Sequence, residues 1–329
     1  MAKKGNVLEM YPDLVYGRVM QWEPGVVKQN ELVEEINAAG YDLVFANSFE
    51  KACIDFFFRL TANVLAVVHA SERLSDANRQ RCEKINARVG GRKITLVFLW
   101  EFIARSFRLQ FPDFDQKYIR VMHPLAYLPS FTQNSTSLKR CKIAVPGALS
   151  FVNRDYRLLV DALRICNDET LEMIEVVLPG AASAATLEQM TGMLKEANLE
   201  GLFSIPTLAS ADRKSRTAYQ QYYDEISDAT VIMPLFKTTS KYRSVSMSST
   251  VATAYCMNLP VALNSSDSVI YDVPYSLINQ YDYLATLNRL VSDDFQLKRE
   301  RLKIQQAASM ASLLAKNVET LRACLLSMY

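Results

Sequence analysis

Short, almost uninterrupted apolar runs recur along this chain, each followed by a stretch of helical, amphipathic period. Asn6 to Met10, Asp42 to Ala46, Asn63 to Val68, Lys93 to Phe98 and Tyr118 to Met122 read as strands in the first half. Lys142 to Val145, Met173 to Leu178, Phe203 to Ile205, Thr230 to Leu235 and Val261 to Leu263 read as strands in the second. A strand with one wet face would alternate polar and apolar residues, and these do not, so both faces are expected to be covered. The intervening helices are expected over Lys28 to Ala39, Phe49 to Leu60, Ser71 to Val89, Trp100 to Leu109, Arg154 to Cys166, Ala185 to Ala197 and Tyr219 to Ile226, with a long one from Leu297 to Met328. Strands alternating with helices in this way predict an α/β protein built on parallel sheets.

At 329 residues the chain suits roughly two domains of about 150 residues each. Ser130 to Ser137 is polar and hydroxyl-rich and follows Pro124 and Pro129, which marks a linker. The expected division is residues 1–136 for a first Rossmann-like domain and 137–329 for a second. The formal net charge is only +2 and the cations are dispersed, which argues against a nucleic-acid partner. Six cysteines, none in a C-x-x-C pair, point to reduced thiols and a cytoplasmic protein rather than a disulfide scaffold. Met1-Ala-Lys-Lys-Gly lacks the apolar core of a signal peptide. The longest apolar stretches are interrupted by Arg59 and Glu101, so no transmembrane segment is expected, while peripheral contact with a membrane stays compatible. No two of the ten glycines stand as G-x-G, which excludes the usual P-loop and dinucleotide fingerprints. Two isolated histidines and no H-E-x-x-H predict no protein-held metal.

The segment from Asp228 to Asn264 carries the most chemistry. After the strand ending near Leu235 comes a loop with Lys237, Lys241 and Arg243, then the hydroxyls Ser244, Ser246, Ser248, Ser249 and Thr250 at the start of a helix. Unpaired amides and hydroxyls at a helix start, with cations just upstream, make an anion site. The bland alternative is ordinary N-capping by Ser248 or Ser249. In an open α/β sheet ligands sit beyond the carboxyl ends of the strands, so the residues following each strand matter. Pro146-Gly147-Ala148 follows one, and Arg154 lies at the expected start of the next helix, where its charge opposes the dipole unless an anion such as a diphosphate is bound. Gly180 follows the next strand, and Pro206-Thr207 the one after. In the first half, His69 and His123 both stand at strand ends, and Glu72 follows His69 closely. Asp113-Phe114-Asp115 has the letters of a metal-binding D-x-D but sits in a loop, and Phe56-Phe57-Phe58 falls inside an expected helix and reads as a buried face.

The order of these parts, from Lys142 to Leu263, resembles the nucleotide-sugar half of GT-B glycosyltransferases. There a strand ending in Pro precedes a loop, a helix and a G-x-P-V strand entry. The resemblance implies two Rossmann-like domains with parallel sheets facing across a cleft, the last helix returning to brace the first. It implies that Gly147, Arg154, Lys241, Arg243, Ser246, Ser248 and Ser249 bind the nucleotide diphosphate, and that the loops at Gly180, Pro206 and Thr207 approach the nucleoside. The family's E-x7-E glutamates fall on Val245 and Thr253, Ala148 stands at a usual Arg position and Asn258 at a usual Gly.

The function implied is transfer of a sugar from a nucleotide diphosphate sugar to a saccharide or lipid-linked acceptor, as in polysaccharide biosynthesis, without a cofactor. His69 and Glu72 are the candidate catalytic residues on the acceptor side. Two alternatives stand beside it: a catalytically inactive GT-B-like binding or assembly subunit, and a sugar-nucleotide epimerase of the same fold.

Overall fold

A computed structural model describes residues 26–46, 49, 54–125, 140–205, 216–279 and 282–326. The expected linker, a first strand over Asn6 to Met10, and Pro206 and Thr207 lie outside them. The chain divides into two compact units, one of Met1–Pro124, Ser244–Met247 and Leu313–Tyr329, the other of Leu125–Arg243 and Ser248–Ser312. Two short returns thus belong with the first unit, a feature that one linear boundary at residue 136 does not carry.

In the first unit the elements run α1 (Val26–Ala38), β1 (Leu43–Ala46), α2 (Ile54–Phe57), β2 (Asn63–Val68), α3 (Asp76–Asn86), β3 (Ile94–Leu99), α4 (Glu101–Gln110) and β4 (Ile119–Met122). They form an all-parallel sheet of order β1-β2-β3-β4. All six residues of β3 are buried, so both faces of the sheet are covered, as the apolar runs predict. Asn86 is buried and anchors the start of β3, donating to the Ile94 carbonyl at 2.9 Å and accepting from its amide at 2.8 Å.

The second unit holds β5 (Cys141–Ala144), α5 (Tyr156–Arg164), α6 (Asp168–Glu172), β6 (Ile174–Val177), α7 (Ala184–Glu196), β7 (Phe203–Ser204), α8 (Arg216–Ser227), β8 (Val231–Ile232), α9 (Ser249–Cys256), α10 (Ser265–Ile270) and α11 (Tyr283–Leu290). Its sheet is also parallel, in the order β7-β6-β5-β8. The last helix, α12 (Asp293–Leu326), contributes residues to both units. Gln306 of α12 donates to the Ala254 and Leu259 carbonyls at 2.8 and 2.7 Å. Further along, Asn317 closes a two-way bond with His123, accepting from its amide at 2.7 Å and donating to its carbonyl at 2.8 Å. Thr320 donates to the Val121 carbonyl at 3.2 Å. The last helix therefore does brace the first unit.

Several expected elements are shorter than their periodicity suggests. Phe49 is pinned to the sheet by donating to the Val67 carbonyl at 2.8 Å, and among the described residues the helix that follows is only α2. The long helix expected from Ser71 begins as a separate 3-10 turn, Ser71–Arg73, because the Ser71 amide is drawn to the Val245 carbonyl at 3.0 Å; Ser75 then caps α3. Val261 makes only an isolated bridge with Ile232 rather than opening a strand. Three helices were not expected, α6, α10 and α11, yet Asn167, Asn264 and Asp282 cap them with side-chain oxygens. Asn258 takes the left-handed conformation (φ 50°) that ends α9, with the Leu259 amide reaching back to the Ala254 carbonyl at 2.9 Å. The phenylalanine run is buried, with Phe56 and Phe57 packed edge-on at 5.0 Å.

Asn317→Ala should leave a buried amide and a buried carbonyl of His123 without their partner. A loss of about 2–4 kcal/mol is expected, read as a lowered urea midpoint with an unchanged slope; an unaltered midpoint would show that water substitutes fully.

Candidate active site

The carboxyl end of the first unit's sheet holds a pocket of about 200 Å³. Phe45, Val67, Val97, Leu99 and Met122 lie on one face of the sheet by register, and all five line it, with His69, His123, Pro124 and Met247 at its edges. His69 follows β2 directly and is half-buried. Its neighbour Ala70 forms an antiparallel bridge with Ser246. Ser246, expected among the diphosphate ligands, thus sits in the first unit beside the pocket instead of on the hydroxyl-rich helix start. Glu72 lies in the 3-10 turn, exposed, and does not line the pocket. His123 is 7 % exposed and stacks edge-on against Trp100 at 5.3 Å. Trp100 itself is fully buried at φ 93°, a conformation an aromatic residue rarely adopts, directly after β3.

In the second unit the ends of β5 and β8 converge on one arginine. Arg154 is 4 % exposed. Its Nη2 donates to the Pro146 carbonyl at 2.6 Å and to Thr250 Oγ1 at 2.8 Å, and its Nη1 to the Pro234 carbonyl at 3.3 Å. Thr250 Oγ1 in turn donates to the Pro146 carbonyl at 2.8 Å. This corrects the expectation of a guanidinium open at a helix start. The helix begins two residues later, because Arg154 forms a bridge with Phe236 and the Asp155 amide donates to the Leu235 carbonyl at 2.8 Å, drawing the residue into the sheet edge.

Gly147 has φ 100°, and a Cβ there would stand 2.7 Å from Arg154 Nη2. A Cβ on Gly180 would stand 1.9 Å from the Gly147 carbonyl oxygen, so the turns after β5 and β6 touch backbone to backbone. Burial pushes the Tyr222 phenol up to about 12, opposed by the Arg154 charge and by a hydrogen bond with the Gly147 main chain. Gly147 and Gly180 are thus brought together.

The cations of the loop are distributed rather than gathered. Lys237 donates to the Phe151 carbonyl. Lys241 opens a 3-10 turn, Lys241–Arg243. Arg243 Nε meets the buried carboxylate of Asp267 at 2.6 Å. Burial raises the Asp267 pKa above the ordinary carboxylate value, while Arg243 and Asn264 work against that. Helix α9 starts after Ser248, which is buried and whose side chain makes no capping bond. The Ser248 amide donates to Tyr271 Oη at 3.0 Å, and that hydroxyl donates to the Tyr242 carbonyl at 2.6 Å. Ser249, the first residue of the helix, is exposed. Among the described residues no group of three or more His, Cys, Asp or Glu could hold a metal.

Thr250, Tyr222, Tyr271 and Asp267 organise this region and were not singled out as site residues from the sequence. Thr250 belongs to the hydroxyl cluster, but nothing local says which hydroxyl turns inward. The tyrosines and Asp267 come from other elements and carry no motif.

No protein-family model matches the chain, and no curated protein matches it. Solved structures do. HepE of Anabaena, in complex with UDP, superposes with a TM-score of 0.60 at 13% identity over 92% of this chain and 82% of that one. A glycosyltransferase of Rickettsia africae gives 0.59 at 12% over 94% and 83%. The pneumococcal O-GlcNAc transferase GtfA, in complex with UDP and GlcNAc, gives 0.54 at 15% over 92% and 60%.

Gly180→Ala should force the two turns apart. A loss of about 1–3 kcal/mol is expected, measured by thermal unfolding, and an unchanged melting temperature would mean the backbone contact is loose. Arg154→Lys should fail to replace the arginine, since an ammonium cannot reach two strand ends as a planar fork does; a loss of about 2–4 kcal/mol is expected in the urea midpoint.

These likenesses, together with the two parallel sheets, give the chain the GT-B fold of glycosyltransferases.

Proposed function

We propose that the chain is a glycosyltransferase that takes a sugar from a nucleotide diphosphate sugar. The observation that carries this is the corner where Gly147 and Gly180 meet, side-chain-free, at the strand ends of the second unit, held by the same Arg154–Thr250 link that fixes the start of α9. Their contact fixes the two turns at the carboxyl ends of β5 and β6, where open α/β sheets bind ligands. The start of α9 offers main-chain donors and the positive end of a helix, and its N-cap side chain does not occupy them. The neighbours HepE and GtfA were crystallised with UDP, and HepE also with UDP-glucose, which supports the same ligand class here.

In such a reaction negative charge grows on the diphosphate as the sugar leaves. Donors already aimed at it lower the barrier without reorganising. The exposed Ser249, the amides of the first turn of α9, Lys241 and Arg243 are the groups for that task, with Asp267 orienting Arg243. Arg154 acts through Pro146, Pro234 and Thr250 and is a positioning residue. Transfer also needs a group to take the acceptor's proton, and His69 at the rim of the first unit's pocket is that base. The acceptor is a saccharide or a lipid-linked acceptor. The diphosphate is neutralised by the protein's own donors, with no protein-held metal. The five described cysteines are free, which suits a reducing, cytoplasmic setting. Among the described residues no helix is long and apolar enough to cross a membrane.

A second reading, a catalytically inactive binding or assembly subunit, is favoured by Val245 and Thr253. Neither can grip sugar or ribose hydroxyls as the glutamates of the resemblance would.

Calorimetric titration with UDP, GDP, ADP and CMP in the presence of EDTA tests the reading. At least one diphosphate should bind, and binding should survive chelation. Binding abolished by EDTA and rescued by magnesium would overturn the metal-free part; no binding of any nucleotide would overturn the whole. His69→Ala should keep nucleotide affinity near wild type while lowering donor turnover by about 10²–10⁴-fold. A rate within about twofold of wild type would remove His69 from the chemistry.

A further inference from the structure

Helix α12 is apolar on two opposite sides. Gln306, Met310, Leu313, Asn317 and Cys324 are buried along one face. On the other, Leu297 is 78 % exposed, Ile304 69 %, Val318 48 % and Leu326 79 %. Ala308, Ala311 and Ala315 are exposed between them. Ile304, Ala308, Ala311, Ala315 and Val318 follow the i, i+4, i+7, i+11, i+14 spacing that places residues on one stripe of a helix. A helix facing water is polar on that side, and a long exposed apolar stripe marks an interaction surface.

We propose that two copies of this chain pair along this stripe, antiparallel, about a two-fold axis through Ala311. Turning the helix end for end about Ala311 sets Ile304 of one copy against Val318 of the other, Ala307 against Ala315, and Ala311 against itself. Leu297 then comes within one position of Leu326. The same operation sets Glu300 against Arg322 at both ends of the contact, about 33 Å apart along the helix. A parallel pairing would instead place Glu300 on Glu300 and Arg322 on Arg322, so charge selects the antiparallel arrangement. The small central residues let two backbones approach closely, which brings the larger ends into contact. Glu300 already pairs with Lys303 at 3.0 Å within its own helix, but its side chain is 68% exposed and can accept from a second cation. A lipid surface fits less well, because anions as well as cations flank the stripe, Glu300 and Glu319 beside Arg301 and Arg322. The interface is isologous, as in most homodimers.

Sedimentation of the full chain should show a species of twice the 37.2 kDa chain mass. Arg322→Glu should raise the dimer dissociation constant by about tenfold or more, and the doubly reversed chain E300R/R322E should recover it. Under mild oxidation Ala311→Cys should yield a covalent dimer, whereas Ala307→Cys, whose partner position is 315, should not; the unsubstituted chain is the control for the native thiols. These variants lie on an exposed face, so their circular dichroism and melting should match wild type. A chain that stays monomeric at all accessible concentrations overturns the proposal. So does equal cross-linking at 307 and 311, which would mean a parallel pair, or co-flotation of the monomer with anionic vesicles, which would assign the stripe to a membrane.

Discussion

A guanidinium stripped of water needs a hydrogen-bond acceptor wherever a water was lost. Arg154 finds its acceptors in main-chain carbonyls after two different strands and in a hydroxyl on the second turn-forming residue of α9. That one side chain fixes the spacing of Pro146 from Pro234, and through Thr250 it fixes where α9 begins. Gly147 lacks a side chain because the guanidinium occupies its place, and Gly180 lacks one because the Gly147 carbonyl does. The glycine corner, the helix start and the buried arginine are therefore one construction. A charge-assisted bond to a carbonyl is worth about twice a neutral one, which makes this joint a rigid one.

Irregular backbone gathers at the carboxyl end of each sheet. Trp100, Gly147 and Leu235 all have positive φ, at 93°, 100° and 54°, and each lies within a few residues of a strand's carboxyl end. Such conformations persist only where packing determines them. Trp100 is held by full burial and by its amide bond to the Met122 carbonyl at 3.2 Å, which in turn positions the ring against His123. His123, which lines the first unit's pocket, is thus held at its ring by Trp100 and at its main chain by Asn317.

The ion pair of Arg243 and Asp267 illustrates how burial and charge compete. Loss of water raises the Asp267 pKa, and the guanidinium opposes the rise without cancelling it. Buried pairs of this kind contribute little net stability but orient their members well.

The alternation of continuous apolar runs with amphipathic ones was enough to determine two parallel sheets, because a strand covered on both faces has no polar residue to hide. The positions after the strands singled out Gly147 and Gly180, and the structure sets those two turns in backbone contact. Asn258 as a left-handed helix end was legible too, since few residues tolerate that conformation. What the sequence could not determine was the direction of side chains. Arg154 reads as a solvent-facing cation until the bridge to Phe236 draws it inward. Ser246 and Ser248 are two residues apart, yet one pairs with Ala70 in the first unit and the other hands its amide to Tyr271 in the second. Tyr271, Thr250 and Asp267 matter only through partners distant in the chain, and Asn317 meets His123 across 194 positions. Periodicity reports local exposure, and local exposure is all that a linear pattern encodes; which hydroxyl meets which carbonyl is decided only when separate elements are packed together.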